Sequence, residues 1–239
     1  MVLSVIIPVY NEERSVEAIL HKVFSVVPRK EVIVINDCSS DRTKERINAV
    51  EAQFRAKPEA FPYMQNFRVV HKERNEGKGA AIRTAVPLAT GDVVLIQDAD
   101  LEVNPDEYPR LLEPFEIHKA DIVFGSRFQM AGTRRVFKTH RYLANRFLTI
   151  LSNLLSGMYI TDMETCYKVF RREVIQSFTL KSDRFGIEPE LAAYAAKSRS
   201  IIYEVPISYT PRDHSQGKKL KWWDGVKAIL AIIRFNLFS

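Results

Sequence analysis

Asp92-Val93-Val94-Leu95-Ile96-Gln97, running directly into Asp98-Ala99-Asp100, is the stretch on which the fold turns. A short apolar run rich in β-branched side chains reads as a strand buried on both faces, the kind found inside parallel sheets. Carboxylates at i and i+2 just past such a strand stand at its carboxyl end, where open α/β sheets bind ligands. So placed, Asp98 and Asp100 can share a hard cation, and that cation would bridge a pair of phosphates. The competing reading is a turn leading into a helix capped by Asp106. Glu102 is either a further ligand or a solvated side chain.

Working outward, the same kind of signal recurs upstream. Val2–Val9 is a second buried-type strand, and Asn11 is placed to cap a helix in which Ile19, Leu20, Val23 and Phe24 recur at helical spacing. Glu31–Asn36 is another strand, with Ser39, Ser40 and Asp41 as capping chemistry for a helix over Lys44–Phe54. Residues 55–66 read as a loop, Phe67–His71 as a short strand, and Asn75-Glu76-Gly77-Lys78-Gly79 as a turn opening a helix to about Ala89. This β-α-β-α order predicts a mostly parallel sheet with helices on both faces. Tyr10-Asn11-Glu12, Asn36-Asp37 and Asp98-Ala99-Asp100 then gather at one edge of one sheet. Downstream, Asp121–Gly125 and Ile201–Val205 read as strands, and Arg141–Met158, Phe185–Lys197 and Trp222–Phe238 as helices, the last strongly apolar.

The 239 residues, 46% hydrophobic and 27% charged, suit one globular α/β domain without repeats, linkers or low-complexity tracts. Cys38 and Cys166 form no CxxC or Cys/His pattern, which argues against a zinc site or disulfide framework and for a reducing compartment. The N-terminus reads as a first strand and not as a signal peptide. No apolar run approaches the roughly 18 residues of a membrane span. The net charge of +6 points to an anionic partner or surface. Its clusters, Arg134, Arg135, Lys138, Arg141 and Arg146, then Arg212, Lys218, Lys219 and Lys221, are each followed by apolar segments. That pairing suits a membrane interface better than a nucleic-acid groove, for which no recognition helix or basic–aromatic interleaving is present.

Val5-Ile6-Ile7-Pro8-Val9-Tyr10-Asn11-Glu12, Asn36 through Thr43, Asn75 through Gly79 and Asp98-Ala99-Asp100, in that order and spacing, resemble the family 2 glycosyltransferases of GT-A fold. Gly125-Ser126-Arg127, Asp162 through Lys168 and the Arg212…Gly217-Lys218-Lys219 stretch resemble the dolichol-phosphate mannose synthase and polyprenyl-phosphate glucosyltransferase branch. The likeness extends over essentially the whole chain. It implies a nucleotide-sugar-binding half over 1–125 and an acceptor-binding, membrane-facing half over 126–239. Pro8, Tyr10 and Glu12 would line the base pocket, Asp37 would meet the base or ribose edge, and Gly77, Lys78 and Ala99 would lie near the donor. Asp98 and Asp100 would hold Mg²⁺ or Mn²⁺ with the diphosphate. Related synthases carry a metal-facing glutamine where this chain has Glu102. Arg127, Arg141, Arg212 and Lys218 would bind phosphates, for which the planar guanidinium fork is well matched.

The reaction so implied is an inverting, in-line transfer of a hexose, from GDP-mannose or UDP-glucose, to a polyprenyl phosphate, dolichyl or undecaprenyl. Asp100, Arg127 and Asp162 carry the catalytic roles. A phosphate monoester has a second pKa near 6 and is mostly ionised at neutral pH, so Asp162 is expected to orient a partner and not to abstract a proton. Glu188 and Glu190 either join the sugar pocket or begin a helix. Leu143, Phe147, Ile150, Leu151, Leu154 and Leu155, with the Trp222–Phe238 segment, form amphipathic interfacial helices in this reading. The enzyme would then sit peripherally on the cytoplasmic face of a membrane. A family 2 enzyme with a sugar-hydroxyl acceptor would need a free general base. A nucleotide-binding protein without activity would not need Asp98, Asp100 and Asp162.

Overall fold

The computed structural model describes residues 1–129, 136, 138–212 and 222–238. One seven-stranded sheet has the order β3-β2-β1-β4-β6-β5-β7. Its strands are β1 (Leu3–Val9), β2 (Lys30–Asn36), β3 (Met64–His71), β4 (Val93–Ile96), β5 (Ile122–Ser126), β6 (Lys168–Arg171) and β7 (Ile202–Pro206). β1 is parallel to β2 and β4, β2 to β3, and β5 to β7, whereas β6 runs antiparallel between β4 and β5. The sheet is therefore mostly parallel, as its strand-helix alternation requires. The antiparallel β6 went unread because Lys168-Val169-Phe170-Arg171 is four residues long and flanked by charges.

Strand alternation divides the core between the two faces. Val5, Ile7, Val9, Val32 and Val34 pack on one side with Leu20, Val23 and Phe24 of α1 (Val16–Ser25). Ile6, Ile33, Ile35 and Ile96 pack on the other with Ala81, Ile82 and Ala85 of α3 (Lys78–Ala85). α2 (Thr43–Ala56) buries Ile47 and Val50 on the first face. α4 (Tyr108–Ile117), carrying Pro109 and Pro114, and α6 (Arg172–Ser177) were not legible in the sequence. Pro109 lies in the first turn of α4, where it is tolerated, but two prolines mask the helical pattern.

Three helices pack against one another, α5 (Thr139–Ser156), α7 (Ile187–Lys197) and α8 (Trp222–Leu237), and α7 lies on the second face of the sheet. Leu148, Leu151 and Leu155 of α5 pack inward with Ile160, Met163, Ala192 and Ile232. The single apolar face expected for α5 is thus two faces. Leu151 and Leu155 belong to the core, while Leu143, Phe147, Ile150 and Leu154 stay exposed. α8 divides similarly: Ile232 and Phe235 are buried, and Trp223, Val226, Leu230 and Leu237 are exposed. No helix among the described residues is long and apolar enough to cross a membrane.

Candidate active site

The loops after β1, β2 and β4 meet at the carboxyl edge of the sheet. Asn11 does not cap α1, which begins later, after Ser15. Instead its backbone N–H donates to Ser39 Oγ at 2.9 Å and its Oδ1 accepts from Ser40 N at 2.8 Å. Glu12 N donates to Thr43 Oγ1 at 2.8 Å, so the first two loops are tied together. Asn11, Cys38 and Leu101 have positive φ and all lie on these loops. Left-handed backbone is a strained state for Cys38 and Leu101 and an easier one for Asn11.

Pro8, next to last in β1, is half-buried, and Tyr10, just past the strand, is exposed. Asp37 is almost wholly buried and accepts from Asn75 Nδ2 at 3.0 Å, Glu76 N at 3.1 Å and Gly77 N at 2.6 Å. Its carboxylate, 3.1 Å from Lys72 Nζ as well, is thus committed to holding the 75–77 turn. Gly77, at φ +101°, could not carry a side chain: a Cβ there would lie 2.5 Å from the Asp183 carbonyl oxygen. A Cβ on Gly79 would collide with the Ser182 carbonyl. These glycines let the turn approach the chain's own 182–184 segment, a reason for them that the sequence alone did not reveal.

Lys78 reaches into the site, with Nζ 2.6 Å from Asp98 Oδ1 and 2.7 Å from Glu188 Oε1. Burial works against its charge, but Asp98 and Glu188 outweigh that and keep it an ammonium. Ala99 packs into the core between the two aspartates. Burial, then the charges of Asp98 and Glu102, push the Asp100 carboxyl up to about 7, although Arg212 stands 3.4 Å away. Behind this pair, buried Gln97 accepts from Tyr108 OH and Tyr167 OH, both at 2.8 Å, and donates to the Asp98 carbonyl at 2.9 Å. Burial raises both phenols well above their usual range, so they remain hydroxyl donors.

Glu102 is held by Tyr209 OH at 2.6 Å and Arg212 N at 2.7 Å. Arg212 forks onto Glu12 at 2.9 and 3.2 Å. Among the described residues no group of three His, Cys, Asp or Glu side chains is arranged to hold a metal. The donor set nonetheless suits a hard divalent cation. Two carboxylates share one strand end, and Asp100 is held in a buried place beside Asp98 and Glu102, where a cation would favour its charged form. Cys166 is no nucleophile here: burial, then Asp98, raises its thiol well above the usual range.

Asp162, fully buried, is gripped by Arg127: Nε–Oδ2 and Nη2–Oδ1 are both 2.7 Å, and Arg127 N adds a third bond at 3.0 Å. The guanidinium lies 5.1 Å from the Tyr209 ring centroid and 5.6 Å from that of Phe128, and Asn145 Oδ1 accepts from it at 3.4 Å. Burial opposes its charge, yet Asp162 keeps it firmly protonated. Arg141, in the first turn of α5, sits one turn before Asn145, whose Nδ2 donates to the Arg141 carbonyl. Lys218 lies outside the described residues. Glu190 accepts from Lys181 N at 2.6 Å and Ser182 N at 2.8 Å, so it fixes that turn, whereas Glu188 faces Lys78. Tyr209, Asn145, Gln97 and Glu164 escaped the sequence reading of roles, because their partners are distant in the chain.

A mostly parallel sheet thus bears paired carboxylates at its carboxyl edge, with arginines and a lysine around them, where open α/β sheets bind ligands. The profile described as "Glycosyl transferase family 2" matches residues 4–178, and the chain belongs to that family. It is 27% identical over 238 residues to the undecaprenyl-phosphate mannosyltransferase of Micrococcus luteus, covering 97% of this chain and 93% of that one. It is 30% identical to the polyprenol monophosphomannose synthase of Mycolicibacterium smegmatis, covering 87% and 77%. Among solved structures, glucosyl-3-phosphoglycerate synthase from Mycobacterium tuberculosis with Mn²⁺ and UDP-glucose superposes with a TM-score of 0.71 at 20% identity, covering 98% of this chain and 78% of that one.

Proposed function

We propose that this protein transfers a hexose from a nucleotide-sugar to a polyprenyl phosphate, with inversion, at a membrane surface. One observation carries the choice of acceptor: both oxygens of Asp162 are engaged by the Arg127 fork. A carboxylate held in this way orients its arginine and is a poor proton acceptor. An acceptor that arrives already ionised needs no base, and a phosphate monoester near neutral pH is such an acceptor. Arg127, presented on Asp162 and lying near the Phe128 and Tyr209 rings, binds that phosphate, with Arg141 as a further cation.

On the donor side, Pro8, Tyr10 and Glu12 border the base, and the 75–78 turn held by Asp37 borders the phosphates. Asp98 and Asp100 hold Mg²⁺ or Mn²⁺, which when bound neutralises the leaving diphosphate. Lys78 and Arg212, now paired with these carboxylates, are close enough to exchange them for phosphate oxygens. Catalysis is then positioning and charge stabilisation. The relatives' names, mannosyltransferase, monophosphomannose synthase and glucosyltransferase, support mannose or glucose as the transferred hexose, with GDP-mannose and UDP-glucose as the donors to compare. Exposed Leu143, Phe147, Ile150 and Leu154 on α5 and Trp223, Val226 and Leu230 on α8 supply an apolar surface for the bilayer that carries the acceptor. Peripheral attachment on the cytoplasmic face fits the free Cys38 and Cys166.

The test is incubation of the purified protein with short polyprenyl phosphate, Mn²⁺ or Mg²⁺ and a panel of nucleotide-sugars, reading glycosyl-phospholipid by mass spectrometry. One donor should give product, lost with EDTA and in Asp98→Ala. Nucleotide binding without product from any donor would overturn the lipid-phosphate reading.

A further inference from the structure

Glu164 and Glu188 are acidic side chains on the inner wall of the site that the transfer chemistry does not use. Glu188, 6% exposed, spends Oε1 on Lys78 at 2.7 Å, and its Oε2 is buried without a hydrogen-bond partner. Glu164 likewise buries Oε1 without a partner. The two belong to one electrostatic cluster: Glu188 raises Glu164, after burial, and both act on Lys168. Lys168 satisfies neither oxygen, since its ammonium donates to the Met163 and Thr165 carbonyls. Burying an acceptor without a donor is costly, and native chains usually avoid it. Lys78 joins Glu188 to Asp98, so the unpartnered Glu188 oxygen lies beside the paired carboxylates, with Glu164 as its charged neighbour.

We infer that Glu164 and Glu188 accept hydrogen bonds from hydroxyl groups of the transferred sugar, and so select a donor whose hexose presents free hydroxyls to that wall. The inference rests on the nucleotide-sugar reading above. The non-anomeric hydroxyls of the sugar are donors of the right kind, and a carboxylate is the stronger partner for them than a neutral amide. A site built to bond a hydroxyl discriminates sharply against an analogue that lacks it. Glu190, two residues on, serves as the internal contrast, because both its oxygens are taken by backbone N–H groups.

The experiment measures binding, by calorimetry with Mn²⁺, of the nucleotide-sugar and of its free nucleoside diphosphate to the whole chain and to Glu164→Gln and Glu188→Gln, using GDP-mannose with GDP and UDP-glucose with UDP. Each substitution should weaken the nucleotide-sugar about 10-fold; Glu164→Gln should leave the diphosphate within about 2-fold, whereas Glu188→Gln, which also releases Lys78, should weaken the nucleotide-sugar more than the diphosphate. Monodeoxy donors on the unaltered protein provide a second arm that does not depend on folding of a variant. One deoxy position should weaken binding by a similar factor, and that analogue should then be insensitive to the matching substitution. Equal loss of sugar-nucleotide and diphosphate, or no loss with either variant and every deoxy donor, overturns the inference alone. Failure of every nucleotide-sugar to bind overturns the reading beneath it as well.

Discussion

Arg127 and Asp162 are 35 residues apart and meet in three hydrogen bonds. The pair sits almost out of water, so removing one charge leaves the other buried and uncompensated, a loss of about 3–5 kcal/mol. Asp162→Asn should therefore lower the melting temperature by roughly 2–4 °C per kcal/mol and cut single-turnover transfer at least about 100-fold, with donor binding kept. Arg127→Lys should fare no better in transfer, because an ammonium cannot fork. Retained transfer in either variant would remove Arg127 from the acceptor phosphate. Glu31 is a residue of another sort, distant from the chemistry. Burial disfavours its charge, but bonds from Ser4 Oγ at 2.5 Å, Thr90 N at 2.5 Å and Gly91 N at 3.2 Å outweigh that and hold its carboxyl below the usual range. A folded-state pKa below the unfolded one means stability present above about pH 4.3 and lost as pH falls through the folded value. Glu31→Gln should cost about 1–3 kcal/mol in urea melts at pH 7, and the difference should shrink steadily toward pH 3.

At the scale of elements, the turn between β3 and α3 shows what sequence conveys and what it withholds. Asn75-Glu76-Gly77-Lys78-Gly79 was legible as a turn opening a helix, and its place beside the donor followed from the resemblance. The cause of its glycines was not, because residues 182–184 approach from more than 100 positions along the chain. Gly77→Ala combines a disfavoured φ of +101° with a backbone collision, so we expect a loss of about 2–4 kcal/mol and of Lys78 placement. Thermal melts and donor titrations of the variant measure both. The buried strands β1, β2 and β4 were readable because every residue points into one layer of core or another. β6 and α4 were not, one for brevity and the other for its prolines. Asp98 and Asp100 stood out because a strand end places them. Glu164 and Tyr209 could not, because only the folded chain brings one near Glu188 and the other to Arg127.

At the scale of the whole molecule, charge and apolar surface lie on the same side of the chemistry. Arg127 touches Asn145 of α5, and α5 turns Phe147 and Leu154, 57% and 76% exposed, to the outside. An acceptor phosphate held at Arg127 would thus have its hydrocarbon near the exposed apolar face of α5, the proposed bilayer contact. Phe147→Glu with Leu154→Glu should reduce sedimentation with anionic vesicles at least about 10-fold and leave turnover of a short, water-soluble polyprenyl phosphate within about 2-fold. Parallel loss of both activities would mean that this face supports the fold and not the membrane. The account as a whole stands on an acceptor that needs no base. Its most direct test offers the unaltered protein, with its donor and Mn²⁺, a polyprenyl phosphate and the polyprenol of the same length at pH 7. Glycosyl-phospholipid should form readily, with the alcohol at least about 100-fold slower. Comparable transfer to the alcohol would contradict the account, since it would demand a proton acceptor that Asp162, held by Arg127, does not provide.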